Sequence, residues 1–373
     1  MNDRARIVLA VGVTVLLFLG VQLGALALVE PFHDSDRQAV EDPTDPTNSA
    51  IYFAVILIAT GLMLAAFKYD AERLIRGLII GVSGMLSWFV FMEIIPPVVT
   101  VGSVNAVALL AAAGVAGALL LYPEWYVIDT AGVLMGAGAA GLFGISFGLL
   151  PAILFLVVLA IYDAISVYKT EHMLDLADGV MDLKIPVIFI VPTTLPYSYL
   201  SEGSTDGVLE DTSSSESNEN ASNARTTTTD EDTQLEQNGG RESGGANSGA
   251  LLEQREKDSD TSTDETNEES GSDQERGRDA LFIGLGDAVI PTILVASAAF
   301  FIEAGTIDVP GIALNAPALG AVIGTNIGLL ILMYMVMKGR AHAGLPLLNG
   351  GAIAGYLVGA LASGLSIMTA LGL

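Results

Sequence analysis

The 373-residue chain contains no cysteine. Disulfides, thiolate nucleophiles and cysteine-ligated zinc are therefore excluded. Histidine is almost as scarce. His33, His172 and His342 are scattered over expected loops and helix ends, and no HExxH spacing exists to build a metalloprotease site. Neither a metal nor a cofactor is expected. Basic residues are few, 16 Lys and Arg against 42 Asp and Glu, for a net charge of −26. Nucleic acid is not an expected partner. Acidic excess with little lysine keeps proteins hydrated at high salt, so composition alone points to a halophilic archaeal source.

Apolar residues make up 51% of the chain, and long stretches almost free of charge recur. That pattern places the chain among multi-pass membrane proteins, with the lipid bilayer as its solvent. Nine spans are expected, at about 7–29, 50–67, 74–95, 98–121, 129–147, 149–170, 280–302, 313–338 and 346–371, each close to the ~20 residues that cross the hydrocarbon. The expected fold is an all-α nine-helix bundle. Much of the negative charge lies elsewhere: residues 201–279 hold 22 Asp and Glu against 6 Lys and Arg, in a setting of Ser, Thr, Asn and Gly. Such a tract cannot bury a core and reads as a disordered acidic loop. The chain thus divides into 1–196, carrying spans one to six and a following segment, the loop 197–279, and 280–373 with the last three spans.

Basic residues prefer the cytoplasmic ends of short loops. With the N-terminus inside, Arg4, Arg6, Lys68, Arg73, Arg76, Lys169, Lys184, Lys338 and Arg340 all face the cytoplasm, as does the 197–279 loop, and only Arg37 does not. The C-terminus then lies outside the cell membrane. Ala25-Leu26-Ala27 resembles a signal-peptide cleavage site, but the preceding apolar stretch is too long for one, and a retained first helix is expected.

Two aspartates interrupt apolar helices, Asp163 in LAIYDAISVY and Asp287 in LFIGLGDAVIP. A carboxylate in hydrocarbon costs a few kcal/mol unless paired, protonated or wetted, so a chain that keeps two is expected to use them. Span six leaves the membrane seven residues past Asp163, and the seventh span was expected to enter seven residues before Asp287. Both would lie ~10 Å below the same surface. Two carboxylates sharing a site hold one proton between them at neutral pH. One can then act as general base on a water and the other as general acid toward a carbonyl oxygen or leaving amine.

Tyr162-Asp163 and Gly284-Leu285-Gly286-Asp287 resemble the YD and GxGD motifs of the presenilin and signal peptide peptidase family of intramembrane aspartyl proteases. The resemblance implies Asp163 and Asp287 as catalytic residues, with Tyr162, Gly284, Leu285 and Gly286 supporting them and transmembrane peptides as substrates. The family's third motif, Pro-Ala-Leu, opens the last helix on the cytoplasmic side. A literal Pro317-Ala318-Leu319 falls at the outer end of span eight. The positional match is Ala343-Gly344-Leu345-Pro346, which departs from the motif at its first two positions. Gly344, Leu345 and Pro346 are the implied substrate-binding residues. The segment from Tyr162 to Pro192, with helix-like residues 172–184, is similar to archaeal presenilin-like proteases.

Other features are legible without the family. Pro291 removes the hydrogen bond that would reach the carbonyl of Asp287, which loosens the helix at the site. Ile185–Val191 is a β-branched run too short to span, apolar enough for a buried loop between helix ends; the resemblance implies a strand there, with which an unwound substrate could pair. Gly132, Gly136, Ala140 and Gly144, and Gly351, Gly355 and Gly359, recur at four-residue spacing as helix-packing stripes. Glu93, Asn105, Asn315 and Asn326 read as interfacial or interhelical contacts, and Asn349 as a neighbour of the site. Tyr162 either donates a hydrogen bond to the dyad or packs. Two other functions are open at this stage, a proton-coupled transporter and a scaffold signalling through the acidic loop. The oligomeric state is left open.

Overall fold

The computed structural model describes residues 3–69, 71–102, 104–169, 187–192, 280–338 and 343–373. The acidic loop 197–279, the helix-like residues 172–184, His172, His342 and Lys184 lie outside them. Ten helices are described: α1 (Asp3–Asp34), α2 (Thr47–Lys68), α3 (Glu72–Ile94), α4 (Ala106–Leu121), α5 (Trp125–Ser146), α6 (Leu149–Lys169), α7 (Leu285–Phe301), α8 (Ala316–Val336), α9 (Gly344–Ala362) and the short α10 (Ile367–Ala370). Four short strands accompany them: β1 (Thr100–Val101), β2 (Val104–Asn105), β3 (Ile188–Pro192) and β4 (Ala280–Gly284).

Seven of the helices are long and apolar enough to cross a membrane, and α4 and α7 are shorter apolar helices at the fourth and seventh expected spans. Both are shorter than expected for a physical reason. Residues 98–105 do not extend α4, because β1 and β2 pair as a small antiparallel ribbon. Asn105 then caps the helix: its side-chain oxygen accepts from the amides of Val107 and Ala108, while its amide donates to the carbonyl of Ile95. At the seventh span, residues 280–284 form β4, antiparallel to β3 with Phe189 opposite Ile283. The expected helix from 280 is corrected to a strand that turns into a helix at Leu285. β3 takes up the second half of the run Ile185–Val191 read from the sequence and extends one residue past it, to Pro192.

Side-chain size sorts the helices. On α8 and α9 the glycines face one another: a Cβ on Gly320 or Gly324 would overlap the carbonyl oxygen of Gly355 or Gly351, and a Cβ on Gly359 that of Ala316. The two backbones touch, a contact open only to residues without side chains. The α9 stripe is the one read from sequence; its partner on α8, Gly320, Gly324 and Gly328, was not anticipated. On α5, Gly144 meets Ala296 of α7, and a Cβ on Gly136 would press at 3.2 Å on both Leu285 and Val289. α1 packs into the same core through Phe18, Val21 and Ala25, all fully buried. By contrast, Ile58 and Leu62 of α2, Leu74 and Leu78 of α3 and Leu110 of α4 are exposed, as a lipid-facing surface requires.

The loop after α1 is bound to the bundle. Arg37 pairs with Glu93 at 2.8 Å and lies 4.7 Å over the ring of Phe89, while the hydroxyl of Ser35 donates to the same carboxylate. Glu93 is thus an ion-pair partner of the one basic residue outside the expected charge pattern. The amide of Ala39 donates to Ser146, and that of Gly148 to the carbonyl of Pro43. Asn326 donates to Gln22 of α1 at 2.9 Å, an interhelical contact.

Candidate active site

Asp163 lies on α6 and is 7% exposed. Its Oδ2 accepts from the amide of Leu345 at 3.1 Å. That amide belongs to the first turn of α9, whose N-cap, Ala343, has no side-chain oxygen to satisfy the free donors there. Asp163 therefore does for α9 what a capping side chain does elsewhere. Pro346 follows, and its ring removes a further N–H that would otherwise need an acceptor.

Asp287 stands in the first turn of α7. It lies nearer the helix start than the seven helical residues expected, because β4 occupies the preceding five positions. Gly284 and Gly344 are both beside it: a Cβ on either would sit 3.5 Å from Asp287 Oδ2. Gly344 and Leu345 are adjacent, so the two carboxylates meet the same short stretch of backbone. Residues 344 and 345 thus touch one aspartate each, and the starts of α7 and α9 present the positive ends of their dipoles to the acids. Three helices converge on one small volume that contains two carboxyl groups and a row of helix-terminal amides.

The motif glycines leave room. Gly284 and Gly286 have negative φ, and a Cβ on Gly286 would meet only Ile290 Cδ1, at 3.8 Å. Among the described residues nothing crowds Gly286, which is exposed. Leu285, in contrast, is buried against Gly132 and Gly136 of α5. In α7, Pro291 lies one turn past Asp287, and Thr292 donates its hydroxyl to the carbonyl of Ala288 at 2.6 Å.

The other residues read from sequence fall as follows. Tyr162 is 38% exposed and its ring packs edge-on against Phe53 of α2, 5.9 Å between centroids. Among the described residues its hydroxyl makes no hydrogen bond to either aspartate. Asn349 is fully buried, and its amide donates to the carbonyl of Leu156 at 2.9 Å, joining α9 to α6 two turns from Asp163. Pro317-Ala318-Leu319 lies in the first turn of α8: Asn315 caps that helix by accepting from Ala318, and its amide donates to the carbonyls of Ala298 and Ile302 at the end of α7. Asn315 is therefore a joint between α7 and α8. His33 rests on the ring of Phe300.

Two buried acids escaped the sequence reading, Glu124 at the N-cap of α5 and Asp129 in its second turn. Asp129 is 4% exposed, and its Oδ1 accepts from the amide of Ile190 on β3 at 2.8 Å. Its signal was present in WYVIDTAGVL. It was overlooked because the fifth span was expected to begin at that residue, where an acid is unremarkable.

A family model for signal-peptide peptidase, presenilin aspartyl protease matches residues 15–217 and 256–365. Two solved structures of a presenilin family intramembrane aspartate protease, in C222 and P2 crystal forms, are similar to the chain. The first is 28% identical, covers 94% of this chain and 99% of its own, and has a TM-score of 0.57. The second is 29% identical, covers 93% and 96%, and has a TM-score of 0.55. No curated protein matches the chain.

Proposed function

Since the chain belongs to the signal-peptide peptidase and presenilin aspartyl protease family, we propose that Asp163 and Asp287 are the catalytic dyad of this intramembrane aspartyl protease. The observation that carries the reading is the start of α9: Leu345 donates to Asp163, and Gly344 borders Asp287. One loop therefore holds both acids, which sit on helices from either side of the acidic insert. Family membership also displaces the transporter and scaffold readings.

The chemistry follows from the shared proton. The ionised member takes a proton from a water, which attacks the scissile carbonyl carbon; the protonated member gives its proton to the carbonyl oxygen. Collapse of the tetrahedral intermediate returns a proton to the leaving amine. Because the acids titrate as a pair, neither role belongs to one residue. The space over Gly286 admits a substrate backbone next to Asp287, and Gly344 and Leu345, with Pro346, position it. An unwound transmembrane peptide lies along the hairpin in extended form, since a peptide bond inside a helix has its carbonyl and amide already committed. Gly284, Leu285 and Gly286 shape the turn from strand to helix, and Tyr162 packs α6 against α2.

The orientation is the one the basic residues favour: N-terminus and 197–279 loop in the cytoplasm, C-terminus outside. The Arg37–Glu93 pair supports it, because the one basic residue on the other side carries its own counter-charge. The test is cleavage of a transmembrane peptide by purified protein in bilayers. Wild-type protein should cut within the membrane segment, and the Asp163→Ala and Asp287→Ala variants should not. Undiminished cutting by either would remove that residue from the dyad.

A further inference from the structure

Asp129 is a further buried acid of the bundle, and the proposed dyad makes no use of it. Its position at the start of α5 places it against β3, where Oδ1 accepts the Ile190 amide at 2.8 Å. Its other oxygen is buried and has no hydrogen-bond partner among the described residues. An acid half satisfied in this way is costly to keep in an apolar setting, and an apolar residue would pack there at less cost. A reason for its retention lies in the strand register.

Val187 accepts from Leu285 at 2.7 Å, and the pairing sets Phe189 opposite Ile283 and Val191 opposite Leu281. In an antiparallel pair, hydrogen-bonded positions alternate. Ile188 and Ile190 therefore turn their amides away from β4. Asp129 meets Ile190 on that outward side. A strand seeking to extend the sheet past β3 would need the Ile190 amide, and Asp129 already holds it. The opposite side of the hairpin is the side of β4, whose chain runs through Gly284 directly into Leu285, Gly286 and Asp287.

We propose that Asp129 is a positioning residue that closes the β3 edge and locks the hairpin register, so that an extended substrate joins on the β4 side at a fixed offset from Asp287. The inference rests on the proposed dyad and strand-like substrate. A strand slip that keeps side chains on their own faces moves the chain by two residues. Loss of the lock therefore predicts displaced cuts, which a purely structural acid does not.

The experiment maps the cleavage sites of a transmembrane peptide by mass spectrometry alongside kcat/KM, using the full-length protein in bilayers. Asp129→Ala should add cuts about two residues from the wild-type bond and lower kcat/KM about ten-fold, the worth of one neutral hydrogen bond. Asp129→Asn, which keeps an acceptor oxygen, should hold the wild-type bond. Ile190→Pro removes the donor without removing a bond between β3 and β4, and should reproduce the displaced cuts; it serves also if Asp129→Ala does not fold. A single unchanged bond in Asp129→Ala or, failing that, in Ile190→Pro would overturn the proposal, as would an Asp129→Asn variant as displaced as Asp129→Ala. The dyad is judged separately: activity in Asp163→Ala or Asp287→Ala would defeat that reading and leave the cleavage map to report on the register.

Discussion

Helices α2 and α5 are equally long and both apolar enough to span, yet they live in different surroundings. Of the most apolar stretch of α2, 6% of residues are buried within the protein, against 67% for α5. α2 carries Ile, Val and Leu at positions that face outward, whereas α5 carries GAGAAG. In water the more hydrophobic helix would be the buried one. In a bilayer lipid tails are as apolar as leucine, so large side chains gain nothing by turning inward, and small ones allow backbones to approach. The site is built on the small-residue side: α5 supports Leu285 and β3, and the α8–α9 glycine contact fixes the helix whose first turn meets both aspartates.

The sharpest separation of the two regions comes from the acids. Asp163→Ala and Asp287→Ala should each lower cleavage by about a thousand-fold or more, the scale of a lost general acid or base, while membrane insertion is kept and Asp163→Ala loses only about 1 kcal/mol of stability with the α9 cap. Proteolysis of a peptide substrate and a melting curve check both halves of that expectation.

Next in size are the backbone contacts. Gly324→Val and Gly355→Val place a branched side chain where a carbonyl oxygen of the partner helix stands, and each should destabilise by about 2–3 kcal/mol, the upper range for overpacking. A lowered Tm in a thermal-shift assay is the measurement. Gly344 should respond by degree. A methyl there makes ordinary contacts at 3.4–3.6 Å with Leu332 and Asp287, so Gly344→Ala should stay within about three-fold of wild-type kcat/KM. Gly344→Val should lose about ten-fold or more through crowding of the carboxylate, an effect of one to a few kcal/mol.

On the lipid side the effects shrink. Arg37→Gln should cost at most about 1 kcal/mol, since the pair with Glu93 is only part-buried. Leu62→Ala on α2, 66% exposed, should change Tm and activity by less than the scatter of the assay. A marked loss there would mean that α2 faces a protein partner instead of lipid and would undo the comparison.

Apolar composition and charge placed most helix ends to within about five residues, but α4 starts eight residues later than expected and α9 ends nine earlier, at Ala362; YD with GxGD singled out the acids. Two elements were not legible. Residues 280–284 are as apolar as a helix start, and only the presence of β3 beside them makes a strand cheaper than another turn. Asp129 stands at the expected start of the fifth span and drew no reading; α5 begins four residues earlier, which places it inside the fold against Ile190. The Pro-Ala-Leu triplet shows the converse, a motif by letter that the chain uses as the cap of another helix.

Composition and spacing alone pointed to a multi-pass membrane protein and singled out two carboxylates that are costly in hydrocarbon, because transfer free energies act residue by residue. Only the tertiary structure decided that Asp163 caps α9, that Gly344 borders Asp287, and that a third acid holds the neighbouring strand. Those facts depend on hydrogen bonds and close approaches between segments up to 182 residues apart, and such partners are chosen by packing, which no local pattern encodes.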